Sequence, residues 1–247
     1  MRSFMGVHAQ IVIPARFDSG RLPGKALLPL AGKPLLQHTW ERAARARLGP
    51  LPIVATEDER IAEAARAFGA PVAMTSAGHR CGSERVAEVA ASLPAEVELV
   101  LNVQGDEALL EPAQLQGLPA VFADPAVGMA TLVARLEDPA RWQDPSLVKA
   151  VLDERGDALY FSRAPIPYPG RGARGFWAHL GVYAFRRAVL EAVYAGRPPG
   201  ELELAEGLEQ LRALAAGVRI RALVVPAGEF GVNTPADLER ARRLLSA

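Results

Sequence analysis

Val97–Glu107 reads VELVLNVQGDE. Its first seven residues are almost continuously apolar, the pattern of a strand buried on both faces, and from Asn102 near their end the chain turns polar with Gln104, Asp106 and Glu107. Such a strand belongs at the centre of a mostly parallel sheet covered by helices. In open α/β sheets ligands bind beyond the carboxyl ends of the strands, so a polar cluster at this place has a mechanical reason to be functional. Asp106 is well placed there to hold Mg²⁺, which prefers one or two carboxylates together with substrate phosphate oxygens. The plainer alternative is that Gly105-Asp106 only turns the chain.

Outward from this strand, the first half of the chain alternates between strand and helix patterns, as βα units do. Strands are predicted at Ala9–Pro14, Ile53–Ala55 and Pro71–Met74, and helices at Leu35–Ala46, Asp58–Phe68 and Ser83–Ser92. Gly69 sits where a helix C-terminus favours a left-handed residue. After residue 125 strand patterns crowd together at Gly128–Ala134, Val148–Leu152, Ala158–Phe161 and Trp177–Phe185, which predicts an antiparallel sub-sheet inserted into or appended to the core. The chain returns to α/β with a helix at Leu204–Ala215, a strand at Arg219–Val225 and a helix at Pro235–Leu245, with Thr234 as N-cap and Pro235 in the first turn. The expected organisation is one domain, residues 1–247, with a smaller sub-lobe at about 126–190.

Composition narrows the function. The 247 residues are 50% hydrophobic and 23% charged, enough for a sizeable core. Twenty-eight Lys and Arg balance 28 Asp and Glu, so no global field draws the chain to nucleic acid or to an anionic membrane. The single Cys81 excludes a disulfide framework and a cysteine-based zinc cluster. No run approaches the ~18 apolar residues of a membrane span, and the first ten residues lack a leader's apolar stretch. The expected location is the cytoplasm.

A phosphate site must then be local, and Ile11–Lys25, IVIPARFDSGRLPGK, offers one. An apolar strand ends in a loop bearing Arg16, Arg21 and Lys25, while Gly20 and Gly24 let backbone approach what the cations hold. A nucleoside triphosphate is the natural guest. Only three residues separate the glycines and Ala26 follows Lys25, so this is not a Walker A loop. Pro165–Arg174 precedes Gly175 in a formal G-x-G-x-x-G match at Gly170, Gly172 and Gly175. It lacks the preceding strand and the following acidic residue of a dinucleotide fingerprint. Two further segments, Met74–Arg85 (MTSAGHRCGSER) and Gly231–Asp237 (GVNTPAD), also run from a strand end into a helix. In the first, Ser83 is the expected N-cap, and free N–H groups at that helix start could meet a base edge or phosphate.

Taken in order, IPAR-x5-LPGK, MTSAGHRCGSER, NVQGDE, VGMATL, YFSRAPIP, HLGVYAF, LEQLRAL and GVNTPADLERAR resemble the CMP-Kdo synthetases, the 3-deoxy-manno-octulosonate cytidylyltransferases, over nearly the whole chain. The resemblance implies a nucleotide-diphospho-sugar transferase fold of the glycosyltransferase-A type, with a mixed sub-lobe carrying sugar contacts and a homodimer interface. It implies a reaction in which CTP and 3-deoxy-manno-octulosonate (Kdo) give CMP-Kdo and pyrophosphate, for lipopolysaccharide or another surface glycan. On the same footing Arg16, Lys25 and Asp106 are catalytic, and Arg16, Arg21, Lys25, Met74, Thr75, Gly82, Ser83 and Gln104 bind the nucleotide. Arg163, His179, Tyr183, Glu209 and Gln210 bind the sugar acid, and Asp106 and Asn233 bind Mg²⁺. In one place the chain departs from the family, whose pattern GVDTPEDL has Asp where Asn233 stands. An amide oxygen can ligate Mg²⁺ but brings no negative charge. Two rivals are an acceptor that is another 2-keto-3-deoxy sugar acid, and a weakly active nucleotide-binding homologue.

Overall fold

The computed structural model describes residues 8–17, 22–168, 170, 175–226, 231–232 and 234–246. Gly20, Arg21, Gly172 and Asn233, all singled out by sequence, lie outside the described residues. The first half runs β1 (His8–Pro14), the small hairpin β2 (Pro29–Leu30) and β3 (Lys33–Pro34), α1 (Leu35–Arg45), β4 (Ile53–Thr56), α2 (Glu59–Ala67), β5 (Val72–Met74), α3 (Gly82–Ala91) and β6 (Val97–Val103). Then come α4 (Pro112–Gln116), α5 (Leu118–Val121), β7 (Met129–Leu136), α6 (Pro139–Gln143), β8 (Lys149–Leu152), β9 (Ala158–Ser162) and β10 (Phe176–Arg186). The chain ends with α7 (Arg187–Leu190) continued by a π turn at Glu191–Ala195, then α8 (Glu201–Glu206), α9 (Gln210–Ala215), β11 (Ile220–Val225) and α10 (Pro235–Ser246).

Nine strands form one sheet in the order β11-β7-β10-β6-β1-β4-β5, with β8 and β9 branching from β10. β6, β1, β4 and β5 are parallel, β11 is parallel to β7, and β10 runs antiparallel between β6 and β7. Alternation along β1 feeds two cores. Ile11 and Ile13 pack with Leu36 of α1 and Ile61 of α2 on one face, and Val12 packs with Val86 of α3 and Leu211 of α9 on the other. Helices therefore cover both faces, as the buried VELVLNV strand requires.

From β1 the chain builds outward to β4 and β5, then returns to place β6 on the other side of β1. The carboxyl ends of β1 and β6 thus flank the point where the strand order reverses, the position at which open α/β sheets leave a crevice. Close approach deepens it. A Cβ on Gly105 would lie 3.1 Å from the Pro14 carbonyl oxygen, and one on Gly82 would lie 2.8 Å from Gln104 Nε2.

Several expectations hold at the level of single residues. Gly69 has φ +87°, as the left-handed helix end requires. Thr234 caps α10, since its Oγ1 accepts from Asp237 N at 3.2 Å while Asp237 Oδ2 accepts from Thr234 N at 2.9 Å. Others are corrected. The helix predicted at Leu204–Ala215 is two helices, because Gly207 at φ +62° ends α8 and lets α9 start at a new angle. Cys81, not Ser83, precedes α3, and it makes no side-chain cap bond. Helix α7 and its π turn stand where no element is predicted.

Against β7, β10 pairs Leu180 with Leu132 and then Tyr183 with Thr131, so Gly181 and Val182 form a two-residue bulge. Bulges of this kind re-aim side chains beside functional sites. In a regular strand residues 179 and 183 lie about 13 Å apart. Here their rings stack with centroids 5.4 Å apart.

Candidate active site

A cleft of about 760 Å³ opens at the carboxyl ends of β1 and β6. Nine residues expected from sequence line it: Arg16, Gly82, Gln104 and Asp106 from the strand-end loops, and Arg163, His179, Tyr183, Glu209 and Gln210 from the facing wall. Lys25 joins them through Asp106, with Nζ 2.5 Å from Oδ2. The loop earns that reach from its backbone. Gly24 adopts φ +66° and donates its N–H to the Phe17 carbonyl at 2.9 Å. The Phe17 ring closes over Gly24, and the Arg60 guanidinium lies 3.4 Å from that ring's centroid.

Met74, Thr75 and Ser83 stand outside the described lining. Met74 is half exposed at the end of β5, and Thr75 Oγ1 accepts from Arg85 Nη1, a side chain paired with Glu57 at 2.5 Å. Ser83 is fully buried and already bonded: its N–H donates to Glu209 Oε2 at 2.9 Å and its Oγ accepts from Asn102 Nδ2 at 3.0 Å. The helix-start N–H that sequence offered to a ligand is thus taken by a carboxylate of the protein. Glu209 also accepts from Gln104 Nε2 at 2.8 Å, which ties the facing wall to the strand-end side.

The far wall is buried and uncharged at its centre. Thr131 gives its hydroxyl proton to the Val182 carbonyl at 2.7 Å, so His179 Nε2 must be the donor to Thr131 Oγ1 at 2.8 Å, leaving Nδ1 as an acceptor. Burial drives the His179 pKa down to about 3, which keeps the ring neutral. Tyr183 OH donates to Gln210 Oε1 at 3.1 Å, whereas Gln210 Nε2 is buried with no partner. An unpaired buried donor costs about 1–3 kcal/mol, a cost that an oxygen-rich ligand would remove.

Sequence reasoning missed several lining groups. Arg80 was visible only as part of MTSAGHRCGSER, and Arg141, Asp144 and Ser146 carry no motif; the topology brings them to the rim. Glu107 accepts the Gly181 N–H at 3.0 Å, and burial, followed by the charge of Asp106, raises its pKa to about 8. Cys81 is no nucleophile, since burial and then Glu209 push its thiol pKa well up. Among the described residues no three His, Cys, Asp or Glu side chains cluster as a cation site.

Residues 10–220 match the family model described as cytidylyltransferase. The 3-deoxy-manno-octulosonate cytidylyltransferase of Solibacter usitatus is 49% identical over 240 residues, covering 96% of this chain and 94% of that protein. The chain belongs to the 3-deoxy-manno-octulosonate cytidylyltransferase family. A second cytidylyltransferase of this name, from Geobacter sulfurreducens, is 48% identical over 242 residues, covering 93% of this chain and 96% of that protein. The family's fold is shared as well. A solved structure of CMP:2-keto-3-deoxy-manno-octonic acid synthetase complexed with CTP superposes with a TM-score of 0.89 at 44% identity, covering 97% of this chain and 98% of that one.

Proposed function

We infer that this cytidylyltransferase transfers CMP from CTP to the anomeric hydroxyl of Kdo, releasing pyrophosphate. The observation that carries the reading is one cleft at the sheet's switch point lined by two kinds of group. Arg16 and Asp106, the latter paired with Lys25, line it from the loops after β1 and β6, and the neutral His179, Tyr183 and the unpaired Gln210 amide line it from β10 and α9. A charged triphosphate suits the first set and a polyhydroxylated acid the second.

The sugar hydroxyl attacks the α-phosphorus in line, and no covalent enzyme intermediate is needed. Catalysis on this reading is positioning plus neutralisation of phosphate charge. Arg16 and Lys25 bind the triphosphate, with Arg21 as a further cation. Gly82 and Gln104 bound the nucleotide, with Met74, Thr75 and Ser83 in the shell around it. Gln210 donates to a sugar oxygen, His179 Nδ1 accepts from a sugar hydroxyl, Tyr183 orients Gln210, and Arg163 meets the sugar carboxylate. Glu209 fixes Gln104 against the start of α3 and so couples the two sets.

The donor chemistry fits Mg²⁺, since Asp106 offers carboxylate oxygens in the cleft lining, and the side chain of Asn233, a residue outside the described ones, carries an amide oxygen. Bound there with phosphate oxygens, Mg²⁺ would supply charge neutralisation. Lys25 pairs with Asp106 at 2.5 Å, and with a cation held by Asp106 its ammonium would be available to phosphate oxygens. The segment at about 126–190 is proposed as the sub-lobe that provides sugar contacts and the homodimer face, in a cytoplasmic enzyme. No helix among the described residues is long and apolar enough to cross a membrane.

The test is Mg²⁺-dependent pyrophosphate release from CTP, UTP, GTP and ATP, with and without Kdo, in wild type and Asp106→Ala. Release that requires CTP and Kdo together and is lost in Asp106→Ala supports the assignment. CTP binding without Kdo-dependent release would move the acceptor to another 2-keto sugar acid.

A further inference from the structure

Lys149 is fully buried on β8, yet it does not line the cleft directly. Its Nζ donates to three backbone carbonyls, Asp144 and Leu147 at 2.9 Å each and Arg163 at 2.5 Å, which uses all three ammonium donors. An apolar side chain of similar length would fill this space without desolvating a charge, so packing alone does not call for lysine. The carbonyls it gathers explain the choice. Asp144, Ser146, Leu147 and Val148 form one stretch of the cleft wall, and Arg163 projects beside them.

Arg163 is built into the same unit. Its Nη1 donates to the Pro145 carbonyl at 3.0 Å, and its Nε to the Glu206 carbonyl at 2.9 Å. Val148 in turn accepts from His179 N at 2.9 Å. The ammonium of Lys149 therefore ties segment 144–148, which meets His179 through the Val148 carbonyl, to the backbone of Arg163. Burial pulls its pKa below the usual lysine value and Asp144 opposes that shift. No carboxylate is bonded to its Nζ among the described contacts, but Asp144 and Glu206 act on it electrostatically together with Arg163, and Glu206 also accepts from Arg163 N at 2.9 Å, so what Lys149 contributes is the fixing of the wall rather than surplus charge.

We propose that Lys149 is a positioning residue for the acidic sugar, an internal cation that fixes segment 144–148 and Arg163 as one carboxylate-receiving wall. This rests on the reading that the wall takes the sugar acid. Steady-state pyrophosphate release by the full chain tests it in Lys149→Met and Lys149→Arg. Loosening the wall should raise the KM for Kdo in Lys149→Met about ten- to a hundredfold, the scale of a small misplacement, with the KM for CTP unchanged. Lys149→Arg, which keeps charge and donors, should recover part of the loss. A purely structural lysine would lower thermal stability or the active fraction and move neither KM. That result, or an equal rise in both KM values, overturns the proposal.

If Lys149→Met does not fold, wild type labelled with ¹⁵N at the lysine Nζ decides. The Lys149 resonance should shift when Kdo is added to the CMP-bound protein and stay still when CMP is added alone. A resonance indifferent to Kdo overturns the proposal. Wild-type kinetics run alongside separate the two levels: without Kdo-dependent turnover the reading of the cleft falls and this proposal with it, whereas normal wild-type turnover with an unchanged Lys149→Met overturns this proposal alone.

Discussion

Acid should destabilise this protein through His179 in a way that one substitution can isolate. The ring is buried, bonded through Nε2 to Thr131 and neutral, with a pKa near 3 in the fold against 6.5 for a free imidazole. Between those two values the unfolded chain holds a proton that the folded chain refuses, so unfolding takes up a proton and stability falls as pH falls. The contribution is fully present above pH 6.5. Below it, about 1.4 kcal/mol is lost per pH unit, so stability at pH 5 should be about 2 kcal/mol lower than at pH 7 from this group alone. Carboxylates titrate as well, and His179→Asn subtracts their common background. Urea unfolding of both proteins at pH 7 and pH 5, at one protein concentration, gives the double difference. Wild type should lose about 2 kcal/mol more than the variant over that interval. Equal losses would refute the neutral, desolvated ring, and with it the use of Nδ1 as an acceptor in the cleft.

Two other outcomes follow from the same geometry. Asn233→Asp should lower the Mg²⁺ concentration that half-saturates pyrophosphate release, and an unchanged metal titration would remove residue 233 from the ligand set. Gly181→Ala would put a Cβ 2.6 Å from Glu107 Oε1 and break the bond between them, costing about 2–3 kcal/mol in chemical denaturation. A loss below about 0.5 kcal/mol would show that the bulge relaxes freely.

Most of the strands were legible because burial and periodicity coincide in them. VELVLNV has room for one reading only, and β1, β4 and β5 follow from the same alternation of apolar run and turn. Ambiguity entered where one residue overrides a good pattern. Leu204–Ala215 has helical spacing throughout, but Gly207 takes a left-handed φ in the middle, and that choice is settled by packing rather than by propensity. In the site, motif-bearing loops were found because their chemistry is written locally, as in Lys25 and Asp106. Lys149 was not, because its three acceptors are main-chain carbonyls and carry no sequence signal. Arg141 and Asp144 escaped for a related reason, since only the course of the chain after β7 carries them to the rim. The helix-start N–H expected to be free at Ser83 is bonded to Glu209, 126 positions away, a contact that no local pattern could announce.

The bulge in β10 adds two residues, and the number is consequential. Side chains on a strand alternate with period two, so an even insertion preserves parity and an odd one inverts every residue beyond it. Leu180, Val182 and Ala184 accordingly remain in one core across the irregularity, and Tyr183 and Phe185 remain in the other. The strand is thus bent into the cleft wall without rewriting the hydrophobic code that follows it. Deleting Val182 alone would turn Phe185 inside out, whereas deleting Gly181 and Val182 together would keep the core in phase and straighten away the meeting of His179 with Tyr183. Length changes at this point are therefore tolerable to the fold only in pairs, and a pairwise change would still abolish the site.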